Sequence, residues 1–327
     1  MNTNPSRIIS RRCGKGQSHW RFVSIRVHSW FKFGFLDSIR SDLRRLLPSK
    51  RDLLRAWIGI VIGLAALMEM HAAGFPPFTA GRNDIRITNS PPQAAADEVK
   101  WRLHAQEDPP PFRVAREKFQ LIVPPAYRHD ESWGLFIWIS PGDTPAFPSE
   151  WETVLAARRL ILVGAYNAGN ERNIFDRVRL AVSANVELRK RFNLDGRRVY
   201  VAGFSGGGRV ASMLGVAWAD MFSGTLPFMG VNFYTDVTAA DGKIYGLNFI
   251  PDDEVLALAK KNCRYVLVTG EKDFNRANTK AVFEKGFRQE GFSQVRFLEV
   301  PMQGHAPPPA KWLEEGLSFL DGGKKVP

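Results

Sequence analysis

The residues with the plainest chemical capability are Gly203-Phe204-Ser205-Gly206-Gly207-Gly208. They follow the apolar run Arg198-Val199-Tyr200-Val201-Ala202 and precede residues 209–217, whose pattern predicts a helix. A G-x-S-x-G stretch between a strand and a helix puts its serine on a strained turn. The hydroxyl then stands exposed above a sheet, close to a helix N-terminus. The flanking positions must be small, because a side chain at 203 or 207 would strike neighbouring backbone. The chemistry this suits is nucleophilic attack by Ser205. The bland alternative is a glycine-rich turn that merely caps a helix or binds phosphate, and partners for the serine decide between the two.

Two later segments supply partners. Residues 265–269 (Tyr-Val-Leu-Val-Thr) predict a strand ending in Gly270-Glu271-Lys272-Asp273. Residues 295–300 predict another, ending in Pro301-Met302-Gln303-Gly304-His305. The order is therefore Ser205, Asp273, His305, each just past the carboxyl end of a strand. His305 would serve as general base and then general acid, and Asp273 would hold its tautomer and stabilise the imidazolium. Glu271, Asp236 and Asp241 also follow strand ends and are alternatives for the acid. Developing negative charge on a substrate oxygen needs two backbone N–H donors. Gly206, after the nucleophile, offers one. The loop Ser140-Pro141-Gly142-Asp143 offers the other; Pro141 has no N–H, which leaves Gly142, the first choice, or Asp143. Asp143 and Asn167, with Asn170 and Glu171, are candidates for binding polar groups of a substrate, although Asn-Ala-Gly-Asn is equally a good turn.

The elements that must position these groups alternate. Strands are predicted over 119–123, 134–140, 160–165, 198–202, 226–233, 265–269 and 295–300. Helices are predicted over 149–158, 176–192, 209–217 and 312–320. The run 134–140 is continuously apolar, as expected where both faces of a parallel sheet are covered. Alternation of this kind argues an α/β fold with a mostly parallel, doubly wound sheet and right-handed crossovers. Residues 234–261 form the longest insertion after the serine, enough for a small cap or one extra helix.

From about residue 112 to 322 the chain resembles the α/β-hydrolase superfamily, on the serine turn and the order Ser205, Asp273, His305. The stretch Gly203 to Arg209, with Asn167 and Asp195-Gly196-Arg197-Arg198-Val199 upstream, resembles the polyhydroxybutyrate-depolymerase and feruloyl-esterase-like branch. The resemblance implies hydrolysis of small or polymeric carboxylic esters through an acyl-enzyme on Ser205, with no cofactor and no metal. Members of that branch are commonly exported. The Ser-Pro-Gly at 140–142 departs from the His-Gly often found there. A serine peptidase on the same fold and a non-catalytic binding protein are the competing readings. The first would need an arginine or an acidic pair for a peptide terminus, and none is identifiable.

Charge adds a constraint. The net charge of the 327 residues is +12, but residues 1–55 hold 13 Lys/Arg against 3 Asp/Glu, which leaves only +2 for the remainder. The basicity belongs to the arm, so a nucleic-acid-binding face on the body has no support. Residues 56–68 are 13 uncharged, largely apolar residues behind Lys50, Arg51 and Arg55. That is short of the ~20 a bilayer span requires and suits a signal-peptide core within 56–73, cleaved near Ala72 or Ala73, or else a membrane anchor. Residues 35–47 carry the spacing of a basic amphipathic helix. Either way the expectation is a secreted, periplasmic or externally anchored body. Residues 74–111 are proline-rich and read as a linker or an extended lead-in strand. Cys13 and Cys263 form no disulfide framework.

Overall fold

In the computed structural model of the protein, residues 79–323 are described. The basic arm 1–55, the amphipathic segment 35–47 and the apolar run with its cleavage site within 56–73 lie outside the described residues.

Along the chain come β1 (Gly81–Ile85), α1 (Ala96–Leu103), β2 (Phe119–Val123), β3 (Trp133–Ile139), α2 (Glu150–Ala157), β4 (Leu160–Ala165) and α3 (Ile174–Arg191). Then follow β5 (Leu194–Phe204), α4 (Gly206–Ala217), β6 (Gly224–Phe228), a short hairpin of β7 (Val237–Thr238) and β8 (Ile244–Tyr245), and α5 (Asp253–Asn262). The chain closes with β9 (Arg264–Gly270), α6 (Arg276–Ala281), β10 (Val295–Val300) and α7 (Ala310–Leu320). Eight strands form one sheet in the order β1-β2-β4-β3-β5-β6-β9-β10. β2 runs antiparallel to both its neighbours, and all other pairs are parallel.

The strand period of two sorts side chains into two cores. Leu135, Ile137 and Ile139 of β3 join Val199 and Val201 of β5 on one face, beneath α3 and α4. Phe136 and Trp138 join Tyr200 and Ala202 on the other, where Trp151 and Leu155 of α2 meet Leu313 and Leu317 of α7. Every residue of β3 is buried, which the unbroken apolar run requires. The closing helix is tied down by Asp321, whose buried carboxylate accepts from Arg158, Arg198 and the Tyr200 hydroxyl.

Two expectations change, in where the body begins and in the length of one strand. The packed body begins well before residue 112, because β1 pairs along its length with β2. Arg102 of α1 also makes a two-pronged contact with Asp220, at 2.6 and 2.9 Å. From residue 79 onward the proline-rich segment is thus part of the body, as the lead-in strand reading has it and the linker reading does not. The strand expected over 226–233 stops at Phe228, where Met229 takes a left-handed conformation (φ 53°) and turns the chain off the sheet. The insertion 234–261 makes the β7–β8 hairpin and α5, with Ile250 N–H reaching the Leu103 carbonyl of α1. Among the described residues no large cap is built.

Candidate active site

The serine turn is fixed by backbone packing. β5 lies between β3 and β6, with Gly203 opposite Ile139 and Phe204 opposite Phe228. Ser205 follows with φ 53° and ψ −120°, a conformation that side chains larger than glycine rarely adopt. Its N–H donates to the Phe228 carbonyl at 2.8 Å, which holds the turn closed. α4 starts immediately, at Gly206. A Cβ on Gly207 would lie 1.9 Å from the Ile139 carbonyl oxygen, so the helix can approach the sheet this closely only with glycine there.

Asp273 stands three residues past the end of β9, with its side chain fully shielded from solvent. One of its oxygens accepts from the Thr269 hydroxyl at 3.0 Å. The other accepts from the Asn275 N–H at 3.1 Å and faces His305 Nδ1 at 2.7 Å. A buried carboxylate is tolerable when its lone pairs are met in this way. His305, five residues past β10, places Nε2 2.9 Å from Ser205 Oγ. Because the carboxylate oxygen accepts, the proton is assigned to Nδ1, which leaves Nε2 free to accept from the serine hydroxyl. The imidazole ring packs against Phe204 (centroids 4.9 Å apart) and Phe274 (4.1 Å). Rungs join the two loops: Lys272 N–H donates to the Gln303 carbonyl, and Met302 N–H to the Glu271 carboxylate.

The other acids considered for this role are engaged elsewhere. Glu271 caps the Met302 turn, Asp236 accepts from Leu247 N–H, and Asp241 accepts from Lys243 N–H. Sequence reasoning missed Arg209 and Asn275. Arg209 reaches the Asn275 carboxamide oxygen at 3.2 Å, and Asn275 donates to the Met229 carbonyl at 2.8 Å. Burial pushes the Arg209 guanidinium below its ordinary pKa, and the nearby Asp273 opposes that shift. The pair thus braces the segment that carries the acid.

The loop after β3 faces the serine from the other side. Its N-terminal end rests on Arg177, whose guanidinium donates to the Ser140 carbonyl at 3.2 Å. Arg177 is 5% exposed and its Nε has no partner. Burial pushes this guanidinium down to about 10, so it still carries its charge at neutral pH. The loop is stitched to the turn after β4, with Asn167 N–H donating to the Asp143 carbonyl (2.7 Å) and Asn170 N–H to the Pro141 carbonyl (2.9 Å). Gly142, the first choice for the second oxyanion donor, has its N–H engaged with Ser140 Oγ at 3.1 Å. The N–H of Asp143 is the loop's other candidate. Asn167 is a left-handed turn residue (φ 51°), and its carbonyl is taken by Arg172. Asn170 is the asparagine brought to the serine turn, with its carboxamide oxygen 1.9 Å from where a Cβ on Gly206 would stand. Asp143 is exposed beside them.

An eight-stranded sheet with its second strand reversed, a serine at the β5–α4 turn, an acid past β9 and a histidine past β10 decide the architecture. The fold is that of the α/β-hydrolases. No family model and no curated protein matches the chain. Among solved structures it is similar to an arylesterase, with 13% identity and a TM-score of 0.49 over 90% of this chain and 99% of that one. It is similar as well to an S-formylglutathione hydrolase from Staphylococcus aureus, with 12% identity and a TM-score of 0.48 over 73% and 96%. A third is a chain from Bacteroides ovatus described as a dipeptidyl aminopeptidase IV, with 14% identity and a TM-score of 0.48. This chain spans only 36% of that one's length. The α/β-hydrolase architecture here stands on strand order and on the placement of the three side chains. Among the described residues no group of three or more His, Cys, Asp or Glu is gathered that could hold a metal ion. Nor is any described helix long and apolar enough to cross a membrane.

Proposed function

We propose that the protein is a serine hydrolase that cleaves carboxylic esters through an acyl-enzyme on Ser205. The observation that carries this is the unbroken chain Asp273–His305–Ser205, with contacts of 2.7 and 2.9 Å. Ser205 Oγ attacks the ester carbonyl while His305 Nε2 takes its proton. The oxyanion formed is met by the N–H groups of Gly206, at the start of α4, and of Asp143. Each such donor contributes about 3–4 kcal/mol to the transition state. His305 then returns the proton to the leaving alcohol, and water repeats the sequence on the acyl-enzyme. Asp273 keeps the imidazole in the productive tautomer and balances its charge, and Asn275 and Arg209 act through Asp273 as positioning residues.

Among the described residues no large lid covers the site, which favours short-chain, aryl or polymeric esters over long-chain lipids. Export is part of the proposal: residues 56–68 carry the signal-peptide pattern, so the substrate would be an ester outside the cytoplasm. Fluorophosphonate labelling, followed by a panel of p-nitrophenyl esters of rising chain length, tests the chemistry. Wild-type protein should be labelled on Ser205 and be fastest on the shorter esters. Absence of labelling at neutral pH rejects the reading. N-terminal sequencing of the mature protein tests export, and a start at or before Arg55 in a membrane fraction rejects cleavage.

A further inference from the structure

We propose that Phe274 is a specificity-determining residue that receives the alcohol part of the ester, so that esters of aromatic and bulky apolar alcohols are preferred. This rests on the serine hydrolase reading of Ser205 and His305. Phe274 directly follows the acid, and its ring centroid lies 4.1 Å from that of the His305 imidazole, with 34° between the planes. It is nevertheless 76% exposed, more than any other large apolar side chain among the described residues. Met302, on the companion loop, comes second at 67%. The rungs from Lys272 to Gln303 and from Met302 to Glu271 hold these two loops side by side. The most exposed large apolar side chain of the described residues therefore lies directly on the general base.

Mechanism decides what could cover that surface. His305 Nε2 must hand its proton to the leaving oxygen, which brings that oxygen within hydrogen-bond reach of Nε2. The carbon substituent of the alcohol starts from there and has to run along the imidazole, where Phe274 stands. The acyl chain starts from the other side of the scissile bond, on the carbon attached to Ser205 Oγ. An aromatic alcohol can meet the Phe274 ring in an offset or edge-on arrangement, which small polar alcohols cannot do. The same contact acts on the acyl-enzyme. An apolar alcohol held there loses its hydroxyl proton to Nε2, its oxygen bonds to the acyl carbon, and Ser205 Oγ departs and takes that proton back. The product is a new ester, formed in competition with hydrolysis by water.

The test compares kcat/KM for the benzyl and methyl esters of one short acid, whose alcohols are of similar acidity. Wild-type protein should favour the benzyl ester by about tenfold, the effect of one well-placed aromatic pair. Phe274→Ala should bring the ratio close to one, and Phe274→Leu should retain part of it. The ratio between methyl acetate and methyl butyrate, which differ on the acid side, should move far less. A wild-type ratio near one overturns the proposal. So does a Phe274→Ala protein in which both rates fall by the same factor, because the ring would then only support His305. Fluorophosphonate labelling of the same preparation separates the two levels. Labelled protein without a benzyl preference overturns this inference alone, whereas unlabelled protein overturns the hydrolase reading with it.

Discussion

Asp273 and Ser140 both sit just past the carboxyl end of a central strand, and both are almost completely buried, at 5% and 4% exposure. Their surroundings differ. The Asp273 carboxylate accepts from a hydroxyl and a backbone N–H and faces an imidazole. The Ser140 carbonyl rests on Arg177, a buried guanidinium with an orphaned Nε. On the first side the chemistry belongs to side chains, so each must be oriented and satisfied. On the second it belongs to backbone N–H groups, so the loop must be held while its side chains stay free to vary. In the proposed reaction, proton transfer and charge stabilisation therefore fall on opposite flanks of one serine, by different means.

The contrast can be broken most severely at its centre. Ser205→Ala should remove fluorophosphonate labelling and lower kcat by about 10⁶-fold, with an unchanged circular dichroism spectrum. Residual labelling of that variant would move the nucleophile elsewhere. On the side-chain flank, Asp273→Asn should cost roughly 10⁴-fold in kcat with little change in KM, since the imidazole loses its enforced tautomer. Asp236→Asn should be near normal, and the reverse pattern would shift the acid to the loop after β6. On the backbone flank, Asp143→Pro should cost about 10²–10³-fold in kcat by deleting one N–H. Gly142→Pro should cost less, because its N–H is already turned toward Ser140. A larger loss at 142 would return the donor role to that residue.

Arg177→Met sharpens the comparison further. It removes a buried charge that has no carboxylate partner, so stability should hold or rise by about 1–2 kcal/mol in urea unfolding. The Ser140 carbonyl loses its anchor, and kcat should fall about tenfold. A stability loss without an activity loss would reduce Arg177 to a packing residue. The smallest effect is expected remote from both flanks. Burial pushes the Cys263 thiol up to about 11, and it donates to the Phe222 carbonyl. Peptide mapping after iodoacetamide at pH 8 should find Cys263 unmodified in folded protein and alkylated after denaturation.

The same contrast explains what could be read in the sequence. β3, β4 and β10 carry apolar patterns that packing in a sheet requires, and their bounds follow within a residue or so. Ser205, Asp273 and His305 were legible because side-chain chemistry leaves residue types at strand ends. β1 was legible only as one of two readings, because Gly-Arg-Asn-Asp-Ile is an edge strand whose pairing depends on β2 and not on its own hydrophobicity. Choosing between Gly142 and Asp143 required knowing where the Ser140 hydroxyl points, and a backbone donor leaves no residue type behind. That folding brings the Asn170 carboxamide to the serine turn could not be read from Asn-Ala-Gly-Asn, which is equally a good turn. Arg209 and Asn275 lie 66 residues apart, and only folding brings them together behind the acid.

The helix that begins at the serine turn has a further consequence. All of α4 except Gly206 and Arg209 is buried, and its opening turn is Gly206-Gly207-Gly208. Glycine is a poor helix former, at a cost of about 1 kcal/mol per residue relative to alanine. That turn therefore exists because the sheet and its neighbours hold it, and it cannot open alone without exposing the middle of the body. Local fraying is not available to it as a low-energy excursion. Loss of activity on heating should then coincide with global unfolding in one cooperative transition, and amide exchange along α4 should report the stability of the whole domain.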